Sequence, residues 1–148
     1  MVPALNQKLS VLLAPASQTA AATRSANIDC LGIDYVTIAL NYKAEVNTDA
    51  VGPLVVIKES DDTEATNFAT WSSSFSIAAD DLVNAKQRVF YIDTRTRKRY
   101  LNLAVTTATH TTNDVITMGA ISIATRRGSI AAGTAAMVGS TNDAVVVG

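Results

Sequence analysis

Histidine and cysteine, two side chains that often act as a catalytic base or nucleophile, each occur once in this 148-residue sequence. His110 lies in the threonine-rich segment 107–113, which is predicted to be a loop between strands. A Ser-His-Asp triad needs a histidine held by packing and oriented by a carboxylate, and such a loop is a poor scaffold for one. Cys30 has no base candidate nearby and is expected to be a buried apolar thiol. A single cysteine also excludes an intrachain disulfide and a Cys₄ or Cys₂His₂ zinc site.

Carboxylates are concentrated at Glu59, Asp61, Asp62 and Glu64. Several converging oxygens could bind calcium, and a pair could serve a glycosidase. The spacing matches no calcium loop, however, and paired aspartates after a strand are typical of a turn. Neither glycine-rich phosphate-binding motif occurs. We therefore expect no enzyme, no metal and no cofactor.

The basic run Arg95, Arg97, Lys98 and Arg99 stands out in a sparsely charged chain. It could contact nucleic acid, although no aromatic stacking platform is interleaved with it. It could pair with carboxylates of a partner protein, or it could be a solvated turn that discourages strand pairing. Arg126 and Arg127 could extend the same patch.

Bulk composition points towards an assembling protein. Charged residues make up 17% of the chain, against about 25% in typical soluble domains. Apolar residues make up 48% but aromatic residues only 5%, so the surface must carry many small neutral side chains. Either part of that surface is covered by other subunits, or threonine, serine and asparagine cover it. The net charge of −1 argues against wholesale binding to nucleic acid. Neither a signal peptide nor a membrane span is predicted, so we expect synthesis in the cytoplasm.

Short β-branched and aromatic segments recur every 10–15 residues without a helical period, which predicts an all-β fold. We expect one antiparallel β-sandwich or jelly-roll domain, with an N-terminal arm over residues 1–23, a core over 24–126 and a C-terminal arm over 127–148. Residues 88–93 and 100–106 flank Thr94–Lys98 and are predicted to form a hairpin with the basic run at its tip. In the N-terminal arm, the apolar residues expected to contact partners are Leu5, Leu9, Val11, Leu12 and Leu13.

Three segments carry a resemblance to a known group of proteins. They are a strand preceded by Gly32-Ile-Asp-Tyr35, a strand ending in Glu59-Ser-Asp-Asp62, and the segment Asp93-Thr-Arg-Thr-Arg-Lys-Arg-Tyr-Leu101. Together they resemble small virion structural proteins of tailed bacteriophages and prophages, of the capsid decoration (cement) type. The opening Leu5-Asn-Gln-Lys-Leu9 and the segment Leu13-Ala-Pro-Ala16 are also similar to theirs. The likeness covers about residues 1–125, and the tail fits only loosely.

This resemblance implies a β-sandwich that often trimerises on the capsid surface and clamps neighbouring subunits of the major capsid protein. The expected partners are the major capsid protein and other copies of the chain, with no direct nucleic-acid or membrane contact. The terminal arms and the basic hairpin would make the contacts, and the protein would be made in the bacterial host cytoplasm. Two alternatives stay open: a head–tail connector or tail structural protein, and a jelly-roll carbohydrate- or receptor-binding module. The latter needs exposed aromatic residues, and its candidates are Trp71, Tyr42 and Tyr100.

Overall fold

The computed structural model describes residues 7–18, 22–44, 53–71, 75–77, 85–107, 116–125 and 142–147. These residues form ten strands, and the 3₁₀ turn Ala65–Asn67 is the only helical element among them. The strands are β1 (Gln7–Gln18), β2 (Thr23–Asp29), β3 (Tyr35–Ala44), β4 (Leu54–Ser60), β5 (Ala69–Thr70), β6 (Phe75–Ser76), β7 (Lys86–Asp93), β8 (Tyr100–Thr106), β9 (Ile116–Thr125) and β10 (Asn142–Val147). The prediction of a single all-β sandwich is confirmed.

The strands form two sheets. Sheet A has the order β1-β9-β3-β7-β10, and sheet B has the order β2-β8-β4-β5, with β6 also paired to β4. Every pair is antiparallel except β7 and β10, which run parallel. Each sheet therefore has one face towards the other sheet and one outer face.

The core lies between the two sheets and follows the two-residue period of the strands. Val36, Ile38 and Leu40 of β3 are fully buried, and so are Leu101 and Leu103 of β8. Alternate side chains on a strand point to opposite faces, so β3 contributes every second residue to this layer, and Leu101 and Leu103 do so from β8. Burying each such side chain contributes about 1.5–3 kcal/mol, which makes this layer the main source of stability.

The predicted hairpin of β7 and β8 is wrong. β7 pairs with β3 and β10 in sheet A, whereas β8 pairs with β2 and β4 in sheet B. The segment 94–99 therefore crosses from one sheet to the other. Thr94 fixes the start of this crossing, because its buried hydroxyl donates to the Ile33 carbonyl at 2.7 Å and its amide donates to the Asp34 carbonyl at 2.9 Å. We call segment 94–99 the basic loop.

The regions predicted as terminal arms supply the two outer strands of sheet A. β1 pairs with β9 along its twelve residues, with register shifts between Val11 and Leu13 and between Leu13 and Ala16. Pro15 is tolerated within β1 because an edge strand does not need every amide for a neighbour. At the other edge, β10 pairs with β7. Leu5 and residues 127–141 lie outside the described residues.

Candidate functional site

The basic loop carries four cations, and each has a carboxylate partner within the chain. Arg95 pairs with Asp93. Arg99 Nη2 lies 2.8 Å from Asp29 Oδ2. The other two cations reach the end of β4 and the turn that follows it. Arg97 Nη1 lies 3.9 Å from Oε2 of Glu59 in β4, and Lys98 Nζ lies 3.1 Å from Oδ2 of Asp61 in the turn. The carboxylates predicted to form a turn thus also compensate much of the charge of the basic loop.

The three arginines of the loop also lie over aromatic rings. The guanidinium carbon is 5.1 Å from the Tyr35 ring centroid for Arg95, 4.7 Å from that of Trp71 for Arg97, and 4.8 Å from that of Tyr100 for Arg99. These cation–π contacts hold the guanidinium groups in place beside their carboxylates.

The aromatic residues predicted for sugar stacking are occupied in other ways. Trp71 packs against the core beneath Arg97, and Tyr100 is half-buried beneath Arg99. Tyr42 is only 3% exposed. An arginine thus covers one ring face of Trp71 and of Tyr100, and Tyr42 is buried, which makes the three less suited to stack on a sugar.

The ion pairs keep the carboxylates charged. Hydrogen bonds from the Arg95 side chain lower the pKa of Asp93 to about 2, and hydrogen bonds from Arg99 lower the pKa of Asp29 below its ordinary value. The same contacts raise the pKa values of the two arginines. A partner's carboxylate would therefore have to compete with an intramolecular one at each cation of the basic loop.

A second network orders the chain between β4 and β5. Asp62 accepts hydrogen bonds from the Glu64 amide and from Asn67 Nδ2, both at 2.9 Å, and these bonds lower the pKa of Asp62. Ser60 Oγ accepts from the Asp62 amide at 3.2 Å. In the part of the chain that the structure describes, no group of three or more His, Cys, Asp and Glu side chains could hold a metal ion.

The outer face of sheet A carries an apolar patch, which we define as Leu9, Val11, Ile121 and Ile123. The β1–β9 register places Leu9 opposite Ile123 and Val11 opposite Ile121. Leu9 is 67% exposed and Val11 is 68% exposed, while the two isoleucines are half-buried.

Uncharged residues continue the patch onto β3 and β7. The row that contains Leu9 and Ile123 continues through Thr37 of β3 and Tyr91 of β7. The row that contains Val11 and Ile121 continues through Ala39 of β3 and Val89 of β7. Beside Val11 the patch continues into a groove of about 580 Å³, where Pro15 and Gly119 form part of the lining. None of the residues in these two rows is charged. Val89 is only 7% exposed, so the part of this face suited to contact with another apolar surface lies on β1, β9 and β3.

The predicted apolar contact residues of β1 divide between surface and core. Leu9 and Val11 are exposed, whereas Leu13 is buried in the core and Leu12 packs against it. The register shift between Val11 and Leu13 accounts for the division, because Val11 lies opposite outward-facing Ile121 and Leu13 lies opposite buried Ala120. Leu5, Arg126, Arg127 and His110 lie outside the described residues.

Arg24 is a structural residue that the sequence analysis missed. From β2 of sheet B, its guanidinium donates to the Ala14 carbonyl at 2.6 Å and to the Met118 carbonyl at 3.0 Å in sheet A. It thereby joins the two sheets at the β1 edge. The only sequence signal is a long cation within a strand of mostly small residues.

Cys30 is 7% exposed, and burial raises the pKa of its thiol to about 11. The thiolate is the nucleophilic form, so this side chain is poorly suited to nucleophilic chemistry near neutral pH. No helix among the described residues is long and apolar enough to cross a membrane.

No model of a protein family matches the sequence, and no curated protein matches it. The chain is similar in structure to the enzymatically active domain of tailspike protein 4 from bacteriophage CBA120, with a TM-score of 0.47, 12% sequence identity, and coverage of 79% of this chain and 19% of that chain. It is also similar to the VP2 subviral particle of infectious bursal disease virus, with a TM-score of 0.47, 13% identity, and coverage of 81% of this chain and 33% of that chain. The chain thus spans about a fifth of the first and a third of the second.

Proposed function

We propose that the protein is a virion structural protein of the capsid decoration type, and that it binds the major capsid protein through the apolar patch. The observation that carries the proposal is the exposure of Leu9 and Val11 next to Ile121 and Ile123 on a face with an uncharged middle. The sequence resemblance to phage decoration proteins supports the choice of partner.

The patch is suited to side-chain packing rather than to the addition of a partner strand. The two register shifts of β1 disturb the regular row of backbone groups that strand addition needs. In addition, Arg24 already occupies the Ala14 carbonyl. Packing of the exposed side chains against a capsid subunit would contribute about 1.5–3 kcal/mol for each large apolar residue that becomes fully buried.

The proposal assigns attachment to the apolar patch and gives the basic loop a different role. The four cations of the loop already have carboxylate partners, so their main effect is to fix the crossing between the two sheets. Several copies binding to one shell would then convert modest individual contacts into durable attachment.

Co-sedimentation with shells tests the proposal. The shells are those of the virus or prophage that encodes the chain, produced without it. Val11→Asp should lower the affinity about tenfold or more, because the interface would bury an unpaired carboxylate. Leu31→Asp is the matched control, since Leu31 is also 68% exposed but lies in the turn between β2 and β3.

Equal binding by the Val11→Asp and unaltered proteins would contradict the proposal, and so would an equal loss in both variants. Circular dichroism should show that both variants keep the fold. Images of the particles add a second criterion: density over the whole shell supports decoration, whereas density at a single vertex would indicate the connector or tail alternative.

A further inference from the structure

The outer face of sheet B contains a polar cleft of about 250 Å³. Its floor comes from neighbouring strands, because Asn27 of β2 and Lys58 of β4 both lie opposite Asn102 of β8. In the next row, Ser25 lies opposite Ala104. The two sheets lie back to back, so this cleft is on the opposite side of the domain from the apolar patch.

The chain that follows β4 forms a wall of the cleft through Thr63, Ala65 and Phe68. The hydrogen bonds of Asp62 with the Glu64 amide and with Asn67 hold this wall. The backbone N–H of Asn67 also donates to the Glu64 carbonyl at 3.0 Å. The cleft is therefore formed before any ligand arrives, which reduces the entropy cost of binding.

The floor offers both hydrogen-bond donors and acceptors. Asn102 Nδ2 donates to Asn27 Oδ1 at 2.6 Å, which fixes the two amides relative to each other. The Nδ2 of Asn27 and the Oδ1 of Asn102 then have capacity for a ligand, and Ser25 adds a hydroxyl. Fixed amides that both donate and accept are suited to ligand hydroxyl groups, which do the same.

Lys58 differs from the cations of the basic loop. It is half-buried and lines the cleft, and its side-chain ammonium has no ion pair or hydrogen bond among the described residues. A cation in this position favours a negatively charged group on the ligand, because a charge-assisted hydrogen bond is roughly twice as strong as a neutral one.

We propose that this cleft binds a single sugar unit that carries a carboxylate. The carboxylate pairs with Lys58 Nζ, the sugar hydroxyls bond to Asn27 and Asn102, and the apolar face of the sugar lies against Phe68. The volume suits one such unit, since drug-sized ligands occupy pockets of about 300–1,000 Å³. A phosphate is less suited, because Lys58 is the only cation among the residues that line the cleft.

Titration followed by ¹H–¹⁵N NMR tests the proposal, with the side-chain amide signals of Asn27 and Asn102 as reporters. The probes are D-glucuronate, D-glucose, acetate and inorganic phosphate. D-Glucuronate should shift these signals with millimolar affinity and should bind about tenfold more tightly than D-glucose or acetate. No saturable shift with D-glucuronate would overturn the proposal. Equal binding of acetate or phosphate would overturn the role of the sugar hydroxyls, and equal binding of D-glucose would overturn the role of Lys58.

Three variants connect the binding to the cleft. Lys58→Gln should weaken D-glucuronate binding about tenfold, to the level of D-glucose. Asn27→Ala changes an exposed residue and should weaken the binding of both D-glucuronate and D-glucose. The control Lys43→Gln removes an exposed cation of sheet A and should leave binding unchanged; an equal loss in this control would show that net charge, rather than the cleft, attracts the ligand. These measurements need no capsid shells, so their outcome is independent of the proposed function.

Discussion

The contact of Arg97 with Glu59 and Trp71 can be tested by replacing Arg97 with alanine. The Arg97 side chain is 22% exposed and that of Glu59 is 18% exposed, whereas Arg95 and Asp93 are 46% and 37% exposed. Each arginine makes one ion pair and one contact with an aromatic ring. Because solvent screens exposed ion pairs strongly, these contacts should contribute more to stability at Arg97 than at Arg95. Arg95→Ala is therefore a matched control within the same loop.

The expected cost follows from three contributions at Arg97. The cation–π contact with Trp71 contributes about 1 kcal/mol. The partly buried pair with Glu59 contributes about 1 kcal/mol at most, given its 3.9 Å separation. The apolar stem of the side chain adds about 0.5 kcal/mol by covering the ring. The sum predicts that Arg97→Ala lowers the free energy of unfolding by about 2 kcal/mol, and that Arg95→Ala lowers it by less because that pair is more exposed.

Urea unfolding at pH 7 measures the free energy of unfolding of both variants. The comparison is valid when the slope of that free energy against urea concentration is unchanged. Arg97→Lys should lie between the unaltered protein and Arg97→Ala, because an ammonium keeps the charge but loses the planar stacking over Trp71. Two results would refute the reasoning: an equal loss of stability in Arg95→Ala and Arg97→Ala, or no measurable loss in Arg97→Ala. Either would mean that the pairs seen in the loop do not fix the crossing between the sheets.

Two further substitution sites give predictions for the core and for the β1 edge. Cys30 should not react with a thiol reagent in the folded protein at pH 8. The pKa of its thiol rises from the ordinary 9.0 to about 11 on folding, so the unfolded chain loses this proton first. The free energy of unfolding should therefore fall as the pH rises from 9 towards 11, by about 1 kcal/mol at pH 10. Urea unfolding should show this pH dependence, and the Cys30→Ala variant should lack it. Gly119→Ala should cost about 1–3 kcal/mol in thermal unfolding, because the new Cβ would lie 3.1 Å from Pro15 Cγ and 3.2 Å from its Cα. Adding Pro15→Ala should recover part of that loss, and full stability of the single variant would contradict the contact.

Strand positions were predictable because they follow from local patterns. The strand predicted to end at Glu59-Ser-Asp-Asp62 is β4 (Leu54–Ser60), in which β-branched residues precede a polar turn. The error at β7 and β8 concerns pairing. Phe90 and Ile92 face the core from sheet A, and Leu101 and Leu103 face it from sheet B. The same alternation would arise in a hairpin, so the local pattern cannot separate a hairpin from a crossing between sheets.

The ion pairs of the basic loop were outside the reach of local patterns for a related reason. Lys98 and Asp61 are far apart in sequence, and their contact depends on β4 lying beside β8 in sheet B. The sequence does show one cluster of cations and one of carboxylates in a chain with few charges. Only the sheet order shows that the two clusters compensate each other.

The division of β1 between core and surface bears directly on the proposed function. Strict alternation would place Val11 and Leu13 on the same face, but the register shift between them turns Leu13 into the core. The same strand thus buries one apolar residue while it leaves Leu9 and Val11 about two-thirds exposed. Their exposure is not a general failure of the edge strand to reach the core, since Leu13 reaches it two residues later. The proposed function accounts for this exposed apolar pair by a partner surface that covers it. If that is right, Val11→Asp weakens binding to shells and Leu31→Asp does not, whereas an effect of surface charge alone would lower binding equally in both variants.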